Sequence, residues 1–177
     1  MRMRAILAVA FLAGLAGPGA AAPEDAGNFL DEIATLQGKH FSIRTNNGPV
    51  RQGMSAEINV LDTYSYDIVT TLTRQDGSTM PFAHDAYRFH LGELGLVDGH
   101  FRTEYTRSND RASAPYDCDS FMFLSTSMQM DCYQPQNFRA DRQATRLEFT
   151  AVWQLKPETF EIRIISNSGA AFLSAAR

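Results

Sequence analysis

Apolar and polar residues alternate along most of the chain after residue 39, with the period of two that indicates half-buried β-strands. The alternation is cleanest at residues 147–155, where every second side chain is apolar. Similar stripes recur along the chain, so we expect eight or nine strands. The stripes include Met54, Ala56, Ile58 and Val60; Tyr64, Tyr66, Ile68 and Leu72; Tyr87, Phe89 and Leu91; Phe101, Thr103 and Tyr105; and Phe160, Ile162 and Ile164.

Tight turns are predicted between the alternating runs. Asn-Gly or Asp-Gly dipeptides, which two-residue hairpin turns prefer, occur at residues 47–48, 76–77 and 98–99. Short turns join neighbouring strands antiparallel, and one-sided alternation fits a sheet with one dry face. The sequence therefore predicts a mainly β fold, an antiparallel up-and-down meander that forms a barrel or a strongly curved half-barrel.

A short N-terminal helix is predicted before the first strand. Asn28 can cap its start, and Gly38 lies just past its end. Its apolar face consists of Phe29, Leu30, Ile33 and Leu36. One further helical turn is expected within residues 135–141. The segment at residues 109–115 is rich in small and polar residues and is predicted to be a mobile loop.

The first residues have the pattern of a cleavable export signal. Arg2 and Arg4 form a short positive region, a 12-residue apolar stretch follows, and small residues occupy positions 19–22. The stretch is shorter than the roughly 20 residues that a membrane-spanning helix needs. We predict a signal peptide at residues 1–21 and a single β-barrel-like domain at residues 22–177. The protein would be periplasmic or secreted, with neither a membrane span nor a lipid anchor.

Two cysteines in an exported chain predict one disulfide. If the chain folds back at Ser125, Cys118 faces Cys132 and Met122 faces Met128 across a hairpin. Directly opposed residues are about 4.5–5.5 Å apart, within disulfide reach. One straight strand would separate the cysteines by more than about 40 Å. The disulfide and the hairpin are therefore one prediction.

Charge argues against a nucleic-acid partner. Without Arg2 and Arg4, the chain carries 14 basic and 20 acidic side chains, a net charge of −6. Phosphate backbones are bound by clustered Lys and Arg side chains, and no part of the sequence concentrates them. We therefore expect no nucleic acid among the partners.

Residues that could bind metal or act in catalysis are present, but their positions favour no site. The four histidines, His40, His84, His90 and His100, fall opposite the apolar stripes and should point to solvent or lie near strand ends, not into a barrel. Met128 and Met130 share a face that would suit Cu(I), but Met122 and Leu124 share it too, as in a core. No Gly-x-Ser-x-Gly motif presents a nucleophilic serine. We predict no metal site, no cofactor and no catalytic residue.

The segment Leu36-Gln37-Gly38-Lys39-His40-Phe41 follows the predicted helix. It resembles the Gly-x-Trp opening of the lipocalin-like, or calycin, β-barrels, with His40-Phe41 where Trp is usual. The resemblance implies a basic residue on the last strand that packs against this opening, a role that Arg163 could fill. Unlike most lipocalins, the chain has no evident long helix after Ile165. Another antiparallel β fold and a cone-shaped α+β fold are the alternatives.

Aromatic residues dominate the predicted inward stripes. A small barrel either packs such rings into a solid core or leaves a cavity for one apolar ligand. Tyrosine hydroxyls inside a barrel need polar partners, which indicates a partly polar interior. The candidate ligand-lining residues are Tyr66, Tyr87, Phe101, Tyr105, Met122 and Trp153.

Three functions fit this sequence. The first is an exported soluble binding protein that holds a small apolar or amphipathic ligand in the barrel, or that binds an exported protein partner. The second is a protein-interaction or inhibitor module with a filled barrel, acting through a loop such as residues 109–116. The third is a periplasmic enzyme whose catalytic groups meet only in the fold, although no motif argues for one. An internal cavity would favour the first, a solid core with an exposed apolar loop the second, and a buried carboxylate or histidine pair in a cleft the third.

Overall fold

The computed structural model describes residues 23–45, 48–92, 99–109, 111–139, 146–166 and 169–176. The predicted signal peptide and the turn residues Asn47 and Asp98 lie outside these ranges. Within them the chain forms one helix, ten strands and a single 3₁₀ turn at Pro135–Asn137. The elements are α1 (Pro23–Ala34), β1 (His40–Thr45), β2 (Val50–Asp62), β3 (Ser65–Thr73), β4 (Thr79–His90), β5 (His100–Ser108), β6 (Ser113–Leu124), β7 (Ser127–Tyr133), β8 (Phe149–Leu155), β9 (Thr159–Ser166) and β10 (Gly169–Ala176).

The ten strands form a closed antiparallel barrel in which each strand pairs with its neighbours in sequence. β1 pairs with both β2 and β10 and closes the circle. The predicted mainly β, up-and-down fold is therefore confirmed, as a full barrel. Closure removes the sheet edges that would otherwise expose unpaired backbone groups.

The last strand was not expected from the sequence. β10 is rich in Gly and Ala and contains no β-branched residue, so local propensity gives no strand signal. It forms a strand because its backbone pairs on both sides, with β9 and with β1. The predicted count of eight or nine strands was too low for this reason.

Residues 113–115 of the segment predicted as a mobile loop at residues 109–115 belong to the barrel. β6 begins at Ser113, and its first residues pair with β5 through Ser108, opposite Ser113. The turn itself is short, and the Asn109 side-chain oxygen accepts hydrogen bonds from the backbone N–H groups of Arg111 and Ala112. Ladder pairing with β5 thus overrides the weak strand propensity of this segment.

Helix α1 closes one end of the barrel, which we call the helix end. Its apolar face is fully buried, as predicted: Phe29, Leu30, Ile33 and Leu36 are each at most 2% exposed. The helix begins at Pro23 instead of after Asn28, so Asn28 is an exposed residue within it. The Tyr66 hydroxyl donates to the Leu30 carbonyl oxygen at 2.8 Å and ties the helix to β3. No helix in the described ranges has the length and apolar character that crossing a membrane requires.

The predicted disulfide hairpin is confirmed. β6 and β7 pair with Cys118 opposite Cys132 and Met122 opposite Met128, and the turn lies at residues 125–126. The two cysteine Cα atoms are 4.1 Å apart, and the disulfide is fully buried. It lies inside the barrel, where it links two neighbouring strands.

The barrel interior is filled by side chains. Large residues at the centre and helix end have at most 1% exposure and pack against one another. Edge-to-face contacts join Trp153 to Tyr87, Phe89 and Phe160, with ring centroids 4.9–5.9 Å apart. The central part of the interior is therefore a packed core instead of a ligand cavity.

The architecture is consistent with a lipocalin-like fold. Phe41, in the segment that resembles the Gly-x-Trp opening, is 1% exposed and contacts Phe160 edge-on at 5.8 Å. The expected role of Arg163 is wrong, because Arg163 lies on β9 with an exposed side chain, and β10 separates that strand from β1.

Candidate functional site

A cavity of about 330 Å³ lies at the end of the barrel opposite α1, which we call the open end. Its walls come from β5 and β6 on one side and from β8 and β9 on the other, and β7 lies between these two pairs of strands. Its lining residues are Tyr105, Arg107, Tyr116, Glu148, Phe149, Ile164 and Ser166. The cavity is at the lower limit of the size of small-molecule pockets, roughly 300–1,000 Å³.

Three aromatic rings form a continuous wall of this cavity. Tyr105 and Tyr116 are directly opposed on β5 and β6 and stack with their ring centroids 5.5 Å apart. Phe149 meets both rings edge-on, at 5.5 Å from Tyr105 and 5.2 Å from Tyr116. The two stacked tyrosine rings and the nearly perpendicular Phe149 ring, at 77° and 80° to them, together form an angled apolar wall.

A buried polar network contacts this wall through Tyr105. The Tyr105 hydroxyl donates to Asp85 Oδ1 at 2.5 Å, and the Arg107 Nε lies 3.7 Å from the same oxygen. Asp85 is 6% exposed, and its side chain points inward from β4 beside Tyr87. Tyr87 stacks on Tyr105 with a centroid distance of 4.7 Å. The network therefore lies between the packed core and the open-end cavity.

Burial sets the protonation of these groups. It raises the pKa of the Asp85 carboxyl above its ordinary value, and the Arg107 cation opposes the rise. Burial also raises the pKa of the Tyr105 and Tyr87 hydroxyls well above the ordinary value, so both phenols remain protonated. Tyr105 can therefore act only as a donor toward Asp85. Burial works against the Arg107 charge, but Asp85 and the two tyrosines raise the pKa of Arg107.

The cavity rim carries one charge of each sign. The Arg107 side chain is 49% exposed, and its fork of five N–H donors is only partly engaged by Asp85. Glu148 is 25% exposed and forms an ion pair with Arg146 at 3.3 Å. Arg146 is itself 72% exposed, and an ion pair with so exposed a partner contributes little. Both Arg107 and Glu148 are thus accessible to a ligand in the cavity.

The predicted ligand-lining residues all point into the barrel, but only one of them reaches this cavity. Tyr105 lines it, and Tyr87 packs behind Tyr105. Tyr66, Phe101, Met122 and Trp153 belong to the packed core, each at most 1% exposed. Their role as ligand-lining residues stays a prediction that requires a different packing of the core.

The four histidines lie on the outer face, as the strand parity predicts, but they do not all point freely to solvent. His100 is the first residue of β5, and its side chain is only 8% exposed. It hydrogen-bonds Asp119 at 2.7 Å and stacks against Phe121. His84 pairs with Asp67 at 2.8 Å. Contacts with carboxylates on the outer face account for the positions of His84 and His100.

These placements limit the chemistry of the cavity. Ser166 is the serine that lines the cavity. All four histidines are on the outer face of the barrel, so none of them can act as a general base for Ser166. No group of three or more His, Cys, Asp or Glu side chains in the described ranges could hold a metal ion. Met128 and Met130 are fully buried in the core, as predicted. The arrangement is suited to holding a ligand by contact, charge and hydrogen bonding.

A second depression, of about 430 Å³, lies on the outer face and is lined by residues of β2 to β5. Two of its acidic side chains are paired with residues outside the lining. Asp67 pairs with His84, and Glu104 pairs with Arg102 at 3.2 Å. It has no aromatic wall comparable to that of the open-end cavity, so the open end is the better candidate site.

The sequence reasoning missed Asp85, Arg107 and Glu148. For the first two, a usable signal was present. Asp85 has the parity of Tyr87, and Arg107 has the parity of Tyr105, so both belong to inward stripes. Glu148 precedes β8 in a connection whose path the sequence does not specify. No protein-family model matches the chain, and no curated protein is significantly similar to it in sequence.

Proposed function

We propose that this protein is an exported binding protein that holds a small amphipathic ligand at the open end of its barrel. The observation that supports the proposal most directly is the 330 Å³ cavity, which combines an aromatic wall with two accessible charges. Apolar walls with a few placed polar groups are typical of small-molecule sites. Export rests on the N-terminal sequence pattern, and the buried Cys118–Cys132 disulfide is compatible with an oxidising compartment.

The filled interior restricts the ligand. Because the core residues below Tyr87 are packed to near-zero exposure, a long apolar chain has no space to extend along the barrel axis. The ligand would therefore be compact, with its apolar part against Tyr105, Tyr116 and Phe149. Its polar part would face Arg107 and Glu148 at the rim.

Native mass spectrometry tests this proposal on protein purified from the exported fraction of its own cells. We expect a small retained mass on the wild-type protein. Tyr116→Ala removes part of the aromatic wall and should abolish retention. The matched control is Tyr64→Ala, at the helix end, where Tyr64 is 43% exposed; this variant should retain the ligand. A bare polypeptide in the wild-type spectrum, with no ligand in a solvent extract of the same sample, would contradict the proposal.

A second candidate function is a protein-interaction module. The packed interior fits it, and the β6–β7 turn exposes two neighbouring apolar side chains, Phe123 at 45% and Leu124 at 57%. A photo-crosslinking residue at position 124 should then capture one defined exported protein. The same residue at position 75, in the polar β3–β4 turn, should capture none. Equal capture at the two positions would exclude a specific interaction at the β6–β7 turn.

A further inference from the structure

The open-end cavity brings two opposite charges to one small apolar site. Arg107 reaches it from β5, and Glu148 reaches it from the segment just before β8. Each charge has an ionic partner, Asp85 for Arg107 and Arg146 for Glu148, but neither pairing uses all of its hydrogen-bonding atoms. Arg107 is 3.7 Å from Asp85, a distance too long for a hydrogen bond, and Glu148 pairs with the highly exposed Arg146.

A ligand with a single charge would suit this cavity poorly. A simple carboxylate could bind Arg107, but it would place a second negative charge near Glu148. A simple amine could bind Glu148, but it would meet the Arg107 cation. Removing either ligand charge from water is costly unless it gains a partner of opposite sign, and a neighbouring like charge adds to that cost.

We infer that the open-end cavity takes a zwitterionic ligand with an apolar body, the chemistry of an α-amino acid with an aromatic or branched apolar side chain. The ligand carboxylate would accept hydrogen bonds from the planar guanidinium fork of Arg107, which suits carboxylates geometrically. The ligand ammonium would bind Glu148. The apolar side chain would lie against the wall formed by Tyr105, Tyr116 and Phe149, with Ile164 beside it.

This inference rests on the proposed binding function, and it adds the class of ligand. The size of the cavity supports it, since about 330 Å³ is near the lower end of the range for small-molecule pockets and suits a compact ligand. The aromatic wall supports it as well, because an aromatic side chain can make offset-stacked or edge-to-face contacts with such rings.

Isothermal titration calorimetry with three related probes tests the inference. The probes are L-phenylalanine, 3-phenylpropionate, which lacks the ammonium group, and 2-phenylethylamine, which lacks the carboxylate. We expect the wild-type protein to bind L-phenylalanine at least tenfold more tightly than either of the other two. Each missing charge should cost about that factor, the usual effect of losing one charge-assisted hydrogen bond.

Two variants assign each charge to its residue. Arg107→Gln should remove the preference for L-phenylalanine over 2-phenylethylamine, and Glu148→Gln should remove the preference over 3-phenylpropionate. Arg88→Gln and Glu158→Gln alter exposed charges outside the cavity and should leave both preferences unchanged. The comparison of probes on the wild-type protein remains decisive if either cavity variant fails to fold.

Three outcomes would overturn the inference. If one of the singly charged probes binds as tightly as L-phenylalanine, the ligand is not recognised as a zwitterion, although binding at the open end stands. If none of the three probes binds while the native protein retains a mass that Tyr116→Ala loses, the ligand class is wrong and the proposed function stands. If no probe binds and no mass is retained, both proposals fail.

Discussion

The Tyr105 hydroxyl donates a hydrogen bond to Asp85 Oδ1 at 2.5 Å, from one inward-facing strand position to another on the neighbouring strand. This pair lies between the apolar core and the open-end cavity. Toward the helix end, the side chains form an apolar core, whereas toward the open end, the same aromatic stripe borders a cavity with charged residues at its rim. The pair holds the Tyr105 ring in the position from which it forms part of the cavity wall.

Replacing Tyr105 by phenylalanine tests the contribution of this hydrogen bond to stability. The variant keeps the ring but leaves the buried Asp85 without its hydroxyl donor, so the free energy of unfolding should fall by about 1–3 kcal/mol. Urea denaturation measures it. Tyr64→Phe is the control, because the Tyr64 ring is partly exposed at the helix end, and its effect should stay within about 0.5 kcal/mol. Equal effects of the two substitutions would show that the Tyr105–Asp85 bond is not stabilising.

The raised pKa of Asp85 predicts a pH dependence of stability. The folded state favours the protonated carboxyl. Its stabilising contribution is therefore fully present below the ordinary pKa of about 3.9 and is lost as the pH rises through the higher folded-state value. Asp85→Asn cannot ionise, so the wild type should lose stability relative to this variant over that pH range.

Denaturation of the wild type and Asp85→Asn at several pH values between about 3 and 8 checks this prediction. The difference between the two free energies of unfolding is the informative quantity, because other titrating groups affect both proteins similarly. A difference that is constant with pH, or that moves in favour of the wild type as the pH rises, would contradict the raised pKa.

The Cys118–Cys132 disulfide should contribute substantially to stability. It closes a loop with a sequence separation of 14, for which the chain-entropy model gives about 3 kcal/mol. The double variant Cys118→Ala/Cys132→Ala should unfold at a correspondingly lower urea concentration. Ser125→Ala, at the exposed turn of the same hairpin, should have little effect. A double variant as stable as the wild type would mean that strand pairing alone fixes the hairpin.

Helix α1 should be an integral part of the barrel core. Ile33 is fully buried at the helix end, so Ile33→Ala should lower the free energy of unfolding by about 2–5 kcal/mol. Asn28→Ala, on the exposed side of the same helix, is the control. If both variants have the same free energy of unfolding as the wild type, the helix does not contribute to the barrel core.

Strand parity made much of this fold predictable. The alternating stripes identify inward residues such as Tyr66 and Trp153, because a period of two fixes the face on which each side chain lies. The disulfide hairpin followed from geometry, since Cys118 and Cys132 can meet only if the chain reverses between them.

Elements that depend on partners distant in sequence were not predictable. The Gly- and Ala-rich β10 forms a strand because β1 and β9 supply its hydrogen bonds, and no local pattern reports that pairing. The open-end cavity is likewise a property of packing. Parity assigns Phe101 and Tyr105 to the same inward stripe, but only the packing decides that Phe101 lies within the core and that Tyr105 borders a cavity.

The barrel interior is filled, and we propose that a small ligand binds above it, at the open end. Two-dimensional NMR of the isotope-labelled protein, titrated with a set of small aromatic acids, amines and zwitterions, tests it most directly. We expect chemical-shift changes clustered at Arg107, Tyr116 and Phe149. The signals of Phe101 and Met122 in the core and of Ile33 in α1 should be unchanged. Shift changes centred on the core residues, or no change with any compound, would contradict it.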